Sequence, residues 1–361
     1  MKDYVTFAAD LQLLVYMSKS RRKKHKYRNL KILIGVCATF VVLGYFILFS
    51  SMSRSGKIEY VFLDKDDNVD SVYKKVEPFS TRHSFWAFKQ IARIVGFKDK
   101  DVRTGRYAVG SMGALQTFRY IRNHRQAAVS ITIRSVRTLA DLSRDVTRDL
   151  LISRKTFMQR TADKKFCRKY GYTPETIIAI FIPDTYDFYW DTDIDGFFDK
   201  IDKENKRFWS FERMQKAKEA HFTPVEVMTL ASIVDEETDN EKEMPMIAGM
   251  YINRLRARMP LQADPTVKFA TKNFTAHRIY HKWLTVDSPY NTYKYRGLPP
   301  GPIRIPSVAA IDAVLDYVHH DYMYMCAKED FSGTHNFAKT YAEHQVNAAK
   351  YAKVLNERGI E

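Results

Sequence analysis

The sequence predicts an α+β protein carried on a single N-terminal transmembrane helix. Three observations lead there. Twenty uncharged residues, Ile32 to Ser51, directly follow a dense basic block. Beyond them, β-rich runs and helical periodicities follow in the order strand, helix, helix, strand, and helices then dominate. At 361 residues and 45% hydrophobic composition, the chain has room for two or three domains and a sizeable core, which excludes a disordered polymer.

The basic block runs from Lys19 to Lys31 and holds eight Lys and Arg and no acid. The apolar run after it is about the length a helix needs to cross the hydrocarbon core. A cleaved signal peptide is the competing reading. The run exceeds the ~7–15-residue apolar core of such peptides, and no A-x-A site follows. The basic block is expected to stay cytoplasmic, with everything after Ser51 on the outer face of the cytoplasmic membrane. Met1 to Tyr16 reads as a start upstream of Met17 or as a short cytoplasmic extension. Residues 1–31 carry net +7 of the chain's +16, so the rest is net +9. That suits an acidic polymer or an anionic surface. An outer location and the lack of a basic arm argue against nucleic acid.

After a short polar linker, IEYVFLD (58–64) reads as a strand. Helices around 69–77 and 81–95 follow, then a returning strand GRYAVG (105–110), a helix at 114–123 and a strand AVSITIRS (128–135). IIAIFIPDTYDFYWDTD (177–193) reads as an apolar strand running into a turn. Helices are expected at 195–219, 242–258, 308–319 and 340–358. A long loop-rich region lies from Pro260 to Pro306. Strands are expected at 322–328 and 334–338.

Some candidates fall at once. DKDDNVD (64–70) offers oxygens at alternate positions like a calcium loop. Its sixth position is Val69 rather than Gly and its twelfth is Lys75 rather than Glu, so it reads as an acidic turn. Cys37 lies in the apolar run. Cys167 and Cys326 have no metal spacing and read as buried free thiols. There is no H-E-x-x-H, G-x-S-x-G or phosphate loop. Neither a metal nor an organic cofactor is expected.

LASIVDEETDNE (230–241) is the stretch that raises a chemical question. Thr223 as N-cap, Pro224 in the first turn and Glu226 completing a capping box start a helix. Val227, Leu230, Ala231 and Val234 form one apolar stripe. Glu236 then points away from that stripe and reads as solvated. Asp235 and Glu237 fall on opposite shoulders, and periodicity does not choose between them. Acids at a helix C-terminus oppose the dipole. Here Asp239, Glu241 and Glu243 follow too, a local conflict that points mildly to function. Nearby, LQADPTVKFA (261–270), SPYNTYKYRGLPPGPIRIPS (288–307) and SGTHNFAKT (332–340) are rich in Pro, Gly, Tyr and Asn. Such loops suit a groove for a polar polymer.

LASIVDEET, INRL (252–255), LQADPTV (261–267), YNTY (290–293), GLPPGPI (297–303) and THNF (334–337) together resemble the YceG-like family of membrane-bound endolytic murein transglycosylases. FIPDTY (181–186) and GRYAV (105–109) fit as well, and the resemblance spans about 58–358. It implies a basic cytoplasmic segment at 1–31 and a transmembrane helix at 32–51. It further implies a small LysM-like α/β module with adjoining strands at 52–135, and a mixed α/β catalytic domain at 136–361. The implied activity cuts bonds between N-acetylmuramic acid and N-acetylglucosamine inside peptidoglycan strands, leaving 1,6-anhydromuramic ends. The implied partners are glycan strands, peptidoglycan synthases in the membrane, and the bilayer through residues 32–51.

The family's catalytic glutamate, last acid of A-S-I-(V/I)-x-x-E-T, maps to Glu237. The first variable position, often Glu in relatives, is Asp235 here. Gln262, Asp264, Thr266, Tyr290, Asn291, Tyr293, His335, Asn336 and Phe337 lie in the matching loops and are expected to line the glycan groove. For Asp264 and Asn291 a turn-forming role is an equal alternative. One acid suffices for an intramolecular transglycosylation, so a raised Glu237 pKa is expected. Two competing readings are a muramidase with Asp235 as second carboxylate and a glycan-binding scaffold without turnover.

Overall fold

A computed structural model describes residues 2–110, 112–276 and 279–358, with side chains from Lys26 onward. The first side chains of the basic block, through His25, lie outside that set. The chain divides into two compact units, residues 1–127 and 128–361.

Unit 1 begins with helix α1 (Lys2–Phe49), whose segment Lys26–Phe49 is long and apolar enough to span a membrane. Strand β1 (Glu59–Leu63), helices α2 (Val69–Val76) and α3 (Arg82–Val95), strand β2 (Gly105–Val109) and helix α4 (Ala114–Arg122) follow. The strands pair antiparallel, Glu59 opposite Val109 and Leu63 opposite Gly105. Alternation along β1 puts Val61 and Leu63 into a core with Val72, Phe88, Tyr107 and Phe118. Asn68 caps α2, its side chain accepting from the Ser71 N–H at 2.9 Å. Lys75 pairs with Asp64 and Asp67, so DKDDNVD is an acidic turn closed by a lysine.

The expected polar linker after α1 is instead built into the unit. Met52 is fully buried, its N–H bonds the Met112 carbonyl at 2.9 Å, and Ser53 bonds Gly110 at 3.0 Å. Ile47 and Leu48 of α1 pack against the unit's core.

Unit 2 opens with strand β3 (Val129–Ile133) and helices α5 (Leu139–Asp149), α6 (Arg154–Ala162) and α7 (Lys164–Lys169). Strand β4 (Asp184–Phe188) and helices α8 (Ile194–Phe208), α9 (Phe211–Glu219), α10 (Pro224–Glu237) and α11 (Met244–Arg256) come next. Then come α12 (Asp264–Thr271), α13 (His281–Leu284), α14 (Val308–Leu315), strands β5 (Tyr324–Ala327) and β6 (His335–Ala338), and α15 (Tyr341–Glu357). β3 pairs antiparallel with β4, Ile131 opposite Tyr186, so this strand belongs to unit 2 rather than to a module ending at 135. The apolar run before β4 also differs from expectation. Ile177–Ile180 is a buried 3-10 turn, and periodicity alone does not tell such a short apolar run from a strand. The expected helix 195–219 is broken at Trp209–Ser210, where Ser210 caps α9.

Two apolar clusters fill unit 2. One packs β3, β4 and α5–α8 around Phe157, Phe181, Phe197 and Phe198. The other surrounds α10, which is buried from Val227 through Asp235. α10 is thus a central helix covered by α11 and α14, and not a helix with one apolar stripe. Both free thiols of the unit are unpaired, Cys167 buried and Cys326 half-buried.

Candidate active site

The capping box that starts α10 is formed as the sequence suggests. The Thr223 N–H donates to Glu226 Oε2 at 2.8 Å, and Thr223 Oγ1 accepts from the Glu226 N–H at 3.3 Å. This fixes the register of the helix and so the direction of the three acids at its far end.

Those acids go three separate ways. Asp235 is buried. It accepts from Ser135 Oγ at 3.2 Å, from the Ser307 N–H at 3.3 Å and from the Ser307 hydroxyl, and pairs with Arg304 Nε at 3.1 Å. Ser307 is the N-cap of α14, so Asp235 ties α10 to that helix. It has no free oxygen to serve as a second reacting carboxylate. Glu236 corrects the expectation of a solvated acid: its side chain is 11% exposed. Arg137 grips it with two 2.8 Å bonds and Arg304 adds one of 2.9 Å. Such a bidentate pair is geometrically specific.

Glu237 alone opens on a cavity of about 290 Å³. Tyr251 and Arg254 of α11 form one wall, Gln262 and Asp264 at the start of α12 another, and Tyr293, β5 and His335 of β6 the rest. Tyr251 Oη donates to Glu237 Oε1 at 2.6 Å. The Glu237 residue keeps some exposure at the cavity while protein crowds its carboxyl. That burial raises its pKa, nearby Asp264 adds to the rise, and the net change is from 4.5 to about 7. The Tyr251 hydrogen bond, His335 and Lys268 pull the other way. Burial is the largest effect, so the carboxyl titrates near neutrality.

The walls are held by partners that local sequence does not announce. Arg254 is buried, donating to the Met323 carbonyl at 2.6 Å and the Leu261 carbonyl at 2.7 Å. Asn253 bonds the His320 carbonyl at 2.6 Å and the Tyr322 carbonyl at 3.1 Å. INRL is therefore a clamp that fixes the approach to β5 and the loop before α12. Gln262 takes a left-handed backbone, φ 51°, uncommon for a non-glycine residue. The Glu243 carboxylate accepts from the His335 N–H at 2.7 Å and contacts His335 Nδ1 at 2.9 Å. An ionised carboxylate only accepts, so Nδ1 is the donor in this contact.

Of the expected groove residues, Gln262, Asp264, Tyr293 and His335 come together with Glu237. Tyr293 Oη donates to Asp264 Oδ1 at 2.6 Å. The others are placed elsewhere. Thr266 has no exposed surface and bonds Thr292 Oγ1 at 2.8 Å and the Ala263 carbonyl at 2.6 Å. Asn291 is equally buried, donating to the Leu284 and Val286 carbonyls at 2.9 Å, which is the turn-forming alternative. Tyr290 packs on Phe269 at 4.7 Å and lines a different cavity. Asn336 bonds Glu329 at 2.8 Å, and Phe337 packs into the core beside Tyr322. Sequence reasoning missed Tyr251, Arg254 and Glu243. Tyr251 adjoins INRL and Glu243 ends the acidic run, so both had a signal. Among the described residues, no three His, Cys, Asp or Glu side chains gather as a metal site requires.

A family model described as the YceG-like family matches residues 61–350. The chain belongs to the YceG-like family. A Bacillus subtilis protein named endolytic murein transglycosylase is 40% identical over 132 residues, 37% of this chain and 36% of its own length. A Streptococcus pneumoniae protein of the same name is 30% identical over 177 residues, 47% of this chain and 31% of that one. The matches thus span about a third of those relatives' lengths. A crystal structure of a YceG-like protein from Listeria monocytogenes superposes with a TM-score of 0.51 at 23% identity. It covers 81% of this YceG-like chain and 99% of that one, a likeness of fold.

Proposed function

We propose that this YceG-like chain is an endolytic lytic transglycosylase with Glu237 as its single proton carrier. It cuts the bond from N-acetylmuramic acid to N-acetylglucosamine within peptidoglycan strands, terminating or releasing nascent strands. The observation that carries this reading is the Glu237 carboxyl, pushed up to about 7 in a polar cavity.

Protonated Glu237 gives its proton to the glycosidic oxygen as the bond to C1 breaks. The C1 centre is then oxocarbenium-like. The 6-hydroxyl of the same sugar attacks C1, and Glu237, now a carboxylate, takes the hydroxyl proton. Glu237 ends protonated, no water is consumed, and the product carries a 1,6-anhydro end. The attack is intramolecular and gains from proximity over water. Tyr251 positions the carboxyl and supports its charged form between the two transfers. Gln262, Tyr293 and His335 are proposed sugar contacts.

The anchoring helix is proposed to place residues 1–31 in the cytoplasm and unit 2 on the outer face, near the synthases that emit strands. The β1–α2–α3–β2 arrangement is proposed as the LysM-like module. A hydrolytic reading keeps one specific support: Asp264, rather than Asp235, shares the cavity with Glu237. Mass spectrometry of strands digested by the full chain separates the two. Anhydro ends, lighter by one water, are expected. Reducing ends would favour hydrolysis, and unchanged strands a scaffold.

A further inference from the structure

A cavity of about 190 Å³ lies within unit 1 beside the last turn of α1. Phe49 forms one wall, and Gln116, Arg119, Tyr120, Asn123 and Arg125 form the other. Gln116, Arg119 and Tyr120 share one face of α4, and Asn123 is its C-cap. From Ser111 to Ala128 the sequence holds three arginines and no acid. Arg119 and Arg125 are exposed and make no ion pair among the described residues. The Arg125 guanidinium lies 5.9 Å from the Tyr120 ring centroid.

The end of α1 fixes where this cavity sits. A Cβ on Gly113 would lie 2.4 Å from the Leu48 carbonyl oxygen and 2.6 Å from Phe49 Cα, so α4 starts directly against α1. Tyr45 stacks on Phe49 at 4.8 Å and Phe46 on His83 at 5.7 Å, and all three α1 aromatics are exposed. Trp86, one turn beyond His83, is 58% exposed. Exposed aromatics around the end of a spanning helix form a membrane-interface belt. With α1 in a bilayer, Arg119 and Arg125 stand at the level of the headgroups.

We propose that this cavity binds the phosphate of an anionic phospholipid headgroup in the outer leaflet, through Arg119 and Arg125. The proposal rests on the membrane-anchor reading of α1. Gln116, Tyr120 and Asn123 offer hydrogen bonds to the headgroup, and Phe49 and Tyr45 flank the glycerol and upper acyl chain. The contact holds unit 1 at a fixed height and tilt on the membrane.

The test places the full chain in nanodiscs of phosphatidylcholine with or without phosphatidylglycerol and counts retained lipids by native mass spectrometry. Wild type is expected to keep one phosphatidylglycerol in preference to phosphatidylcholine. R119Q/R125Q is expected to lose that preference, by roughly thirtyfold from two basic contacts, while R119K/R125K keeps part of it. Equal retention by R119Q/R125Q, or no preference in wild type, would overturn the proposal. Displacement by inorganic phosphate would reassign the cavity to a free anion. Nanodisc incorporation is read separately. A wild-type chain that stays soluble refutes the anchor and the headgroup site with it, whereas incorporation without the preference refutes the site alone.

Discussion

Tyr251 donates a 2.6 Å hydrogen bond to the Glu237 carboxyl. The donor is fully enclosed in α11 and the acceptor ends α10, so two helices that pack together set the direction of one acid. A phenol O–H favours the charged form of the carboxyl it touches.

Removing that donor therefore raises the Glu237 pKa. In the proposed mechanism the reaction starts from protonated Glu237, so kcat/KM is expected to fall as pH rises through about 7. In Tyr251→Phe the alkaline limb moves to higher pH while the maximal rate drops, because the carboxyl loses its anchor. The pH profile checks this. A limb that stays in place would show that Tyr251 does not act on Glu237.

Burial of Glu237 also has a stability signature. Its carboxyl titrates at about 7 when folded against an ordinary 4.5. Between those values the folded state holds a proton that the unfolded state has released, so stability is lost as pH rises from 4.5 to 7. The loss is at most about 3 kcal/mol, reduced by solvent at the cavity mouth. Glu237→Gln has no such titration. Chemical denaturation should find the Gln variant gaining on wild type from pH 4 to pH 8. A difference that is flat with pH would contradict the burial.

Asp235 should behave as a structural acid. Asp235→Ala leaves Arg304 short of a buried partner and removes the tie to Ser307, a loss of roughly 3–5 kcal/mol. Activity per folded molecule should be retained at low temperature. Thermal melts paired with product assays on the soluble fraction read both quantities.

Asp264 separates the two chemical readings. Asp264→Asn keeps the size of the side chain and its contact with Tyr293 Oη. Anhydro ends should persist in this variant at a reduced rate. Wild-type products that carry added water, and their loss in Asp264→Asn, would make Asp264 a hydrolytic partner.

Much of this was legible in the sequence. Thr223, Pro224 and Glu226 announce the start of α10, and the helix forms from that residue pattern. The direction of its acids was only half legible. Periodicity put Asp235 and Glu237 on opposite shoulders, but their meaning depends on Ser307, 72 residues from Asp235, and on Tyr251 of another helix. Glu236 was expected to be solvated, yet it meets Arg137, 99 residues away in the chain. Loop residues were least legible. Thr266 and Asn291 sit in segments that resemble family motifs, but motif membership does not say whether a side chain faces a cavity or its own turn. Here both satisfy neighbouring polar groups inside unit 2.

The central claim is that Glu237 alone carries both proton transfers. Digestion of uncrosslinked glycan by wild type and Glu237→Gln, followed by mass spectrometry, tests it most directly. Wild type should give 1,6-anhydromuramic ends, and the folded Gln variant should lose them by roughly 10²–10⁴-fold. Anhydro ends at wild-type yield from the Gln variant would contradict the account.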